Sequence, residues 1–162
     1  SPGGRNNQER EDGLSDSGGY DFVSALKQKE YGNLDVVYRK QDLLNTEGSL
    51  ELSGYQIRDL DGLEFCVNII SLDLSNNRII DIGNVGYCHL LEELDLSFNR
   101  ISQIMVLSEL AYIKTLDLSF NQIGDIRPLF DLNRLEYMNL VGNTVPEYQV
   151  EILMKKGVMV AY

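Results

Sequence analysis

The 162-residue sequence has no tryptophan, one histidine (His89), two cysteines (Cys66 and Cys88) and three prolines. One imidazole and two thiols leave little material for a metal site or a nucleophile–base pair. No G-x-G-x-x-G pattern, P-loop or G-x-S-x-G pattern occurs, so the known phosphate-cradling loops and the nucleophile elbow are missing. The chain therefore reads as non-enzymatic, with no cofactor and no metal. Positive charge is also scarce. Lys and Arg total 14 against 25 Asp and Glu, which leaves a net charge of −11. A surface of that sign repels phosphates, which argues against nucleic acid or anionic membrane as the main partner. No run of 18 apolar residues is present, so no segment reads as a membrane-spanning helix. With 43% apolar and 24% charged residues, the composition is that of an ordinary globular domain.

Three zones follow along the chain. Residues 1–19 carry one large apolar residue, Leu14, among Gly, Ser, Asn and charges. Such a stretch buries too little to offset its ordering entropy and reads as a flexible linker or tail. The chain starts at Ser1, so it reads as a processed or trimmed product, and any signal peptide would lie upstream, out of view. In residues 20–49, Phe22, Ala25 and Leu26 sit at helical spacing behind a capping Asp21, and Gly32-Asn33 stops that helix. The segment KQDLLNTEG predicts a second short helix ended by Gly48.

From residue 50 the chain repeats itself every 22 residues. Leu50, Leu72, Leu94, Leu116 and Met138 form one column; Leu52, Leu74, Leu96, Leu118 and Leu140 form the next. Ile57, Ile79, Ile101, Ile123 and Val145 follow, and four further apolar columns stay in step, one of them Cys66, Cys88, Leu110 and Leu132. Chance does not hold seven columns in phase. The unit L-x-L-x-x-N-x-I predicts one short strand per coil, around 71–75, 93–97, 115–119 and 137–141, with the other apolar positions returning along the far side. One coil cannot bury its apolar edge alone, but a stack can. Asn77, Asn99, Asn121 and Asn143 recur where each strand ends. An amide at a buried turn must have its hydrogen bonds met, so these read as a structural ladder bonding the backbone of neighbouring coils.

The units LDLSNNRIIDI, LDLSFNRISQI and LDLSFNQIGDIRPL resemble the 22-residue repeats of the internalin-like class of bacterial leucine-rich repeat proteins. The same repeat class occurs in eukaryotic regulators of protein phosphatase 1. The opening DFVSALKQKEY…LDGLEFCVNI is similar to the helical cap and first coil of internalin-like domains, and GNTVPEYQVEILMKKGVMVAY to a closing helix and strand. The resemblance covers residues 20–162 and implies an α/β fold: a leucine-rich repeat solenoid, a right-handed β-α/3-10 superhelix, with a helical N-terminal cap over 20–49, repeats over 50–143 and a C-terminal helix–strand cap over 144–162. It further implies a non-catalytic module that binds a protein partner through its concave strand face, secreted or attached to a bacterial cell surface as an exported protein or lipoprotein.

On that face the outward strand positions form columns. Glu51, Asp73, Asp95, Asp117 and Asn139 make a carboxylate ladder whose rungs lie about 4.8 Å apart. Like charges at that spacing repel by about 1 kcal/mol in water and about 3–4 at an effective dielectric of 20. Two readings stand: a docking surface for a basic partner or cation, or consensus aspartates bonded to nearby hydroxyls. The neighbouring column adds Glu93, Thr115 and Tyr137 as contact candidates, and Ser53, Ser75, Ser97, Ser119 and Val141 form the next. Phe98 and Phe120 close the strands either as exposed interface anchors or as rings folded over the Asn turn onto each other. Arg78 and Arg100, with Asp81 and Asp125, read as salt-bridged solvated edges. Cys66 and Cys88 read as small buried thiols, with a disulfide between adjacent coils as the alternative. Val150, Leu153 and Met154 put an apolar face on the last helix, which seals the final coil. Two other functions share these residues: an intracellular regulatory subunit of phosphatase type, and a surface protein that binds ions or glycans through the acidic ladder.

Overall fold

A computed structural model describes residues 20–162. The linker expected over residues 1–19 lies outside them. Helix α1 (Phe22–Tyr31) starts where Asp21, in extended conformation, accepts the Ser24 N–H on Oδ1 at 2.6 Å. That bond satisfies one of the helix's orphan donors. The helix ends at Gly32, whose left-handed φ of +69° lets its N–H return to the Gln28 carbonyl. Phe22, Val23, Ala25 and Leu26 are buried on the first coil. The fit there is close. At Gly62, whose φ is +100°, an added Cβ would lie 2.8 Å from the Val23 side chain, so only glycine admits the helix.

Helix α2 spans Lys40–Leu44 and buries Leu43. It does not run to Gly48. Asn45 caps it, with its N–H bonded back to the Gln41 and Leu43 carbonyls. Gly48 instead lies inside strand β1 (Glu47–Glu51) at φ +74°, where the pairing with the next strand shifts by one residue. A glycine signal was present, but it marks a bulge rather than a helix end.

Each of the first four strands is followed by a tight 3-10 turn. The strands are β2 (Asn68–Asp73), β3 (Glu93–Asp95), β4 (Thr115–Asp117), β5 (Tyr137–Asn139) and β6 (Met159–Ala161). The turns are Leu63–Phe65, Gly83–Tyr87, Met105–Glu109 and Arg127–Leu129. Among the described residues six strands form one sheet in sequence order, every pair parallel. The register is that of the repeat: Leu72 faces Leu94, Leu94 faces Leu116 and Leu116 faces Met138. The strands stop about two residues short of the sequence expectation, yet coil-to-coil bonding continues past them. Leu74 N–H donates to the Asp95 carbonyl and Asn76 N–H to the Ser97 carbonyl, both at 2.9 Å.

All seven apolar columns turn inward. Leu74, Leu96 and Leu118 are fully buried, and the side chains form one continuous core along the stack. Each such leucine stabilises the fold by about 1.5–3 kcal/mol through removal of apolar surface from water. Helix α3 (Glu147–Lys155) covers the last coil with Val150 and Leu153. Met154 does not join them; it is 47% exposed. The buried stripe is centred between residues 149, 150 and 153, which leaves position 154 about a quarter-turn away. Its place is taken by Gln149, buried with its Oε1 accepting the Ile126 N–H at 2.8 Å. Strand β6 then pairs with β5 and extends the sheet by one rung.

Candidate partner-binding face

Side chains alternate along a strand, so the residues between the buried leucines share the opposite face of the sheet. The register places Glu51, Asp73, Asp95, Asp117 and Asn139 in one row, and Ser71, Glu93, Thr115 and Tyr137 in another. The rows run on to β6, where Met159 follows Tyr137 and Ala161 follows Asn139. Sequence reasoning missed these last two. The signal was available, since 22 residues beyond Tyr137 and Asn139 lie Met159 and Ala161, but no N-x-I motif marks that coil.

The three aspartates repeat one geometry. Asp73 Oδ1 accepts the Ser75 N–H at 2.9 Å and the Ser75 hydroxyl at 2.6 Å. Asp95 does the same with Ser97, and Asp117 with Ser119, at the same distances. Each aspartate thus caps its own strand end. One carboxylate oxygen serves the fold, and among the described residues no hydrogen bond engages Oδ2 of any of the three. Asn139 fills the same role toward the Val141 N–H at 3.1 Å. In the middle of the row, Asp95 has its pKa raised, chiefly by desolvation and further by the flanking Asp117 and Asp73 charges, against the lowering effect of its Ser97 bonds. Glu93 accepts from the Ser71 hydroxyl at 3.2 Å, and Lys29 reaches the Glu51 carbonyl, not its carboxylate, at 2.7 Å.

Phe98 and Phe120 fold onto each other and still stay half-exposed. Their rings stack with centroids 4.5 Å apart and planes 14° from parallel, yet the residues remain 49% and 47% exposed. Both backbones sit in the left-handed region, at φ +55° and +54°. Asn76 and two glycines, Gly54 and Gly142, hold the same position in other coils. That conformation is uncommon and strained for a bulky residue. The Phe120 ring rests on Gly142, where an added Cβ would lie 2.6 Å from it.

The asparagine turns are structural, as the spacing implies. Asn99 Oδ1 accepts the Ile79 N–H at 3.0 Å, while Nδ2 donates to the Leu74 and Leu96 carbonyls at 2.9 and 3.1 Å. Asn77 and Asn121 repeat this, and Asn143 does so at the last turn. Both cysteines are buried free thiols, and burial pushes each up to about 12, so neither is a nucleophile near neutral pH. The arginine column differs from its expected pairing. Among the described residues the ion pairs are Lys114–Glu92 and Arg127–Asp125, and Arg78 and Arg100 join neither. Arg127 is two residues from Asp125 and forks onto it, holding that carboxyl down to about 2. Among the described residues no group of three His, Cys, Asp or Glu side chains is placed to hold a metal ion.

Comparison with known proteins agrees with this architecture. A model of paired leucine-rich repeats matches residues 67–112, and a single leucine-rich repeat model matches 109–126. The fold is a leucine-rich repeat solenoid. Its parallel strands and 3-10 turns superpose on internalin C2 from Listeria monocytogenes at a TM-score of 0.64 and 23% identity, covering 87% of this chain and 73% of that one. An internalin (inlF) from the same species gives 0.61 at 23% identity over 74% of this chain. A leucine-rich repeat protein from Leptospira interrogans gives 0.64 at 22% identity over 82%. The solenoid spans 42% and 36% of the length of these last two. No curated protein sequence matches the chain. Among the described residues no helix is long and apolar enough to cross a membrane.

Proposed function

We propose that the solenoid is a non-catalytic recognition module that docks a protein partner on its concave strand face, on or outside a bacterial cell. The observation that carries this is the spare bonding capacity of that face. Among the described residues, Asp73, Asp95 and Asp117 each commit one oxygen to the fold and keep a second with no hydrogen bond, on the face that also carries two half-exposed stacked phenylalanines. A face with no other role would not need exposed aromatics held in a strained backbone. The internalin-like neighbours support the class of function and the bacterial setting.

The contact residues on this reading are Glu51, Asp73, Asp95, Asp117 and Asn139 in the central row, Glu93, Thr115 and Tyr137 beside it, and Phe98 and Phe120 at the rim. A photo-crosslinking amino acid at position 115 tests it, with the same group at exposed position 102, off the strand face, as the control. The expected result is one protein adduct from site 115 alone. Adducts from site 102 alone would move the interface off the strand face.

A further inference from the structure

The face is not uniform along the stack. Coils one to four carry its carboxylates: Glu51, Asp73, Glu93, Asp95 and Asp117, with no Lys or Arg in either row. Lys29 at the Glu51 carbonyl offsets charge at the first rung, so the negative centre lies at coils two to four. At β5 and β6 the carboxylates cease. The same rows there hold Tyr137, Asn139, Met159 and Ala161, and Val141 replaces the serine found at positions 53, 75, 97 and 119. Met159 is 69% exposed and Val141 is 37% exposed. The Phe98–Phe120 stack leans onto Gly142, next to Val141, and so joins this apolar end to the acidic centre.

We propose that the partner presents a mixed segment laid in one direction: cationic side chains over Asp73, Glu93, Asp95 and Asp117, and apolar side chains over Tyr137, Val141, Met159 and the phenylalanine stack. This rests on the strand face being the docking surface. Charge complementarity supplies half of the argument. A cation close to two or more carboxylates relieves their mutual repulsion and meets the Oδ2 atoms left over by the serine caps. Continuity of exposed apolar surface supplies the other half. A wholly basic partner would leave that end uncovered, and a wholly apolar one would desolvate unpaired carboxylates. A second copy of this chain is disfavoured, because each copy carries a net charge of −11 and would bring a like-charged row to the same interface.

Panning a phage library of random dodecapeptides on the full chain, with counter-selection on the F98A/F120A/M159S variant, tests the proposal. The enriched sequences should carry a Lys/Arg cluster and an apolar cluster in a constant order. For a synthetic peptide of that type, D95N/D117N should weaken binding about tenfold and flatten its salt dependence, whereas V141S/M159S should weaken it about tenfold with the salt dependence kept. A spin label on the cationic end should broaden amide signals of residues 73 and 95 much more strongly than those of β6. Enriched peptides that bind this face but are purely basic, purely apolar or mixed in either order would overturn the directional proposal alone. Peptides insensitive to every one of these substitutions, or no enrichment over the counter-selected variant, would overturn the docking face itself. A single cooperative melting transition for each variant, within a few degrees of the parent, keeps misfolding out of the comparison.

Discussion

Two polar rows run side by side through the solenoid, four residues apart in every coil. One is Asn77, Asn99 and Asn121; the other is Asp73, Asp95 and Asp117. The side chains are nearly the same size. The asparagines are only 8% exposed, and their amides bond backbone groups of two successive coils. The aspartates are half-buried, and their carboxylates bond only the serine two residues on, within their own coil. The contrast shows that repetition does not distinguish scaffold from surface; what distinguishes them is whether the bonds cross from coil to coil. A row that stitches coils has no capacity left for a partner, and a row that caps its own strand keeps half of its oxygens.

Exchanging amide and carboxylate between the rows tests that contrast most severely. Asn99→Asp keeps the acceptor for the Ile79 N–H but removes the donors to Leu74 and Leu96 and buries a charge. A destabilisation of about 3–5 kcal/mol at pH 7 is expected by urea unfolding, from the unpaired carbonyls and the buried carboxylate. Burial raises the new carboxyl's pKa in the folded state, so the deficit should shrink as pH falls toward the unfolded value. Asn99→Ala should cost about 3 kcal/mol with no such pH dependence. A melting temperature unchanged in either variant would remove the ladder from the account.

A smaller effect separates the rim from the core. Phe98→Ala with Phe120→Ala should lose about 1 kcal/mol, the worth of one aromatic stack. Leu118→Ala, at a fully buried site, should lose about 2–5. Asparagine already holds the left-handed backbone at position 76, so it should be no worse than alanine at 98 or 120. If the alanine pair costs as much as Leu118→Ala, the rings are packing rather than anchors.

The solenoid was legible because its columns follow from one physical need, met identically in each coil. Leu74, Leu96 and Leu118 must be buried, and Asn77, Asn99 and Asn121 must bridge, wherever the period places them. Features that depend on neighbours outside the period were harder to see. Gly48 looked like a helix stop because nothing in the sequence says that β1 bulges there. Met154 looked buried because helical spacing allows two stripes, and only packing against Ile126, through Gln149, chooses between them. The stacking of Phe98 on Phe120 rests on a bare Gly142 one coil away. The apolar end of the face stayed hidden because Met159 stands in a coil with no repeat signature.

The mildest substitution decides whether the acidic row is a strained surface or an inert one. Asp95→Asn replaces the middle carboxylate with the residue that Asn139 already places in this row, where its Oδ1 still accepts a backbone N–H. The strand cap is therefore kept while the repulsion from Asp73 and Asp117 and the desolvation of a charge are removed. The sign with pH follows from the direction of the shift. Asp95 has a folded pKa above its unfolded one, so the folded chain holds that proton more tightly, and the parent gains stability as pH falls through the raised value. The variant lacks that gain. It should be more stable than the parent by about 0.5 kcal/mol at pH 7, a figure kept small because water screens a half-exposed group, and the two curves should converge in acid. A variant less stable than the parent at pH 7, or curves that separate further below the carboxylate range, would mean that the row carries no stored repulsion for a cationic partner to relieve.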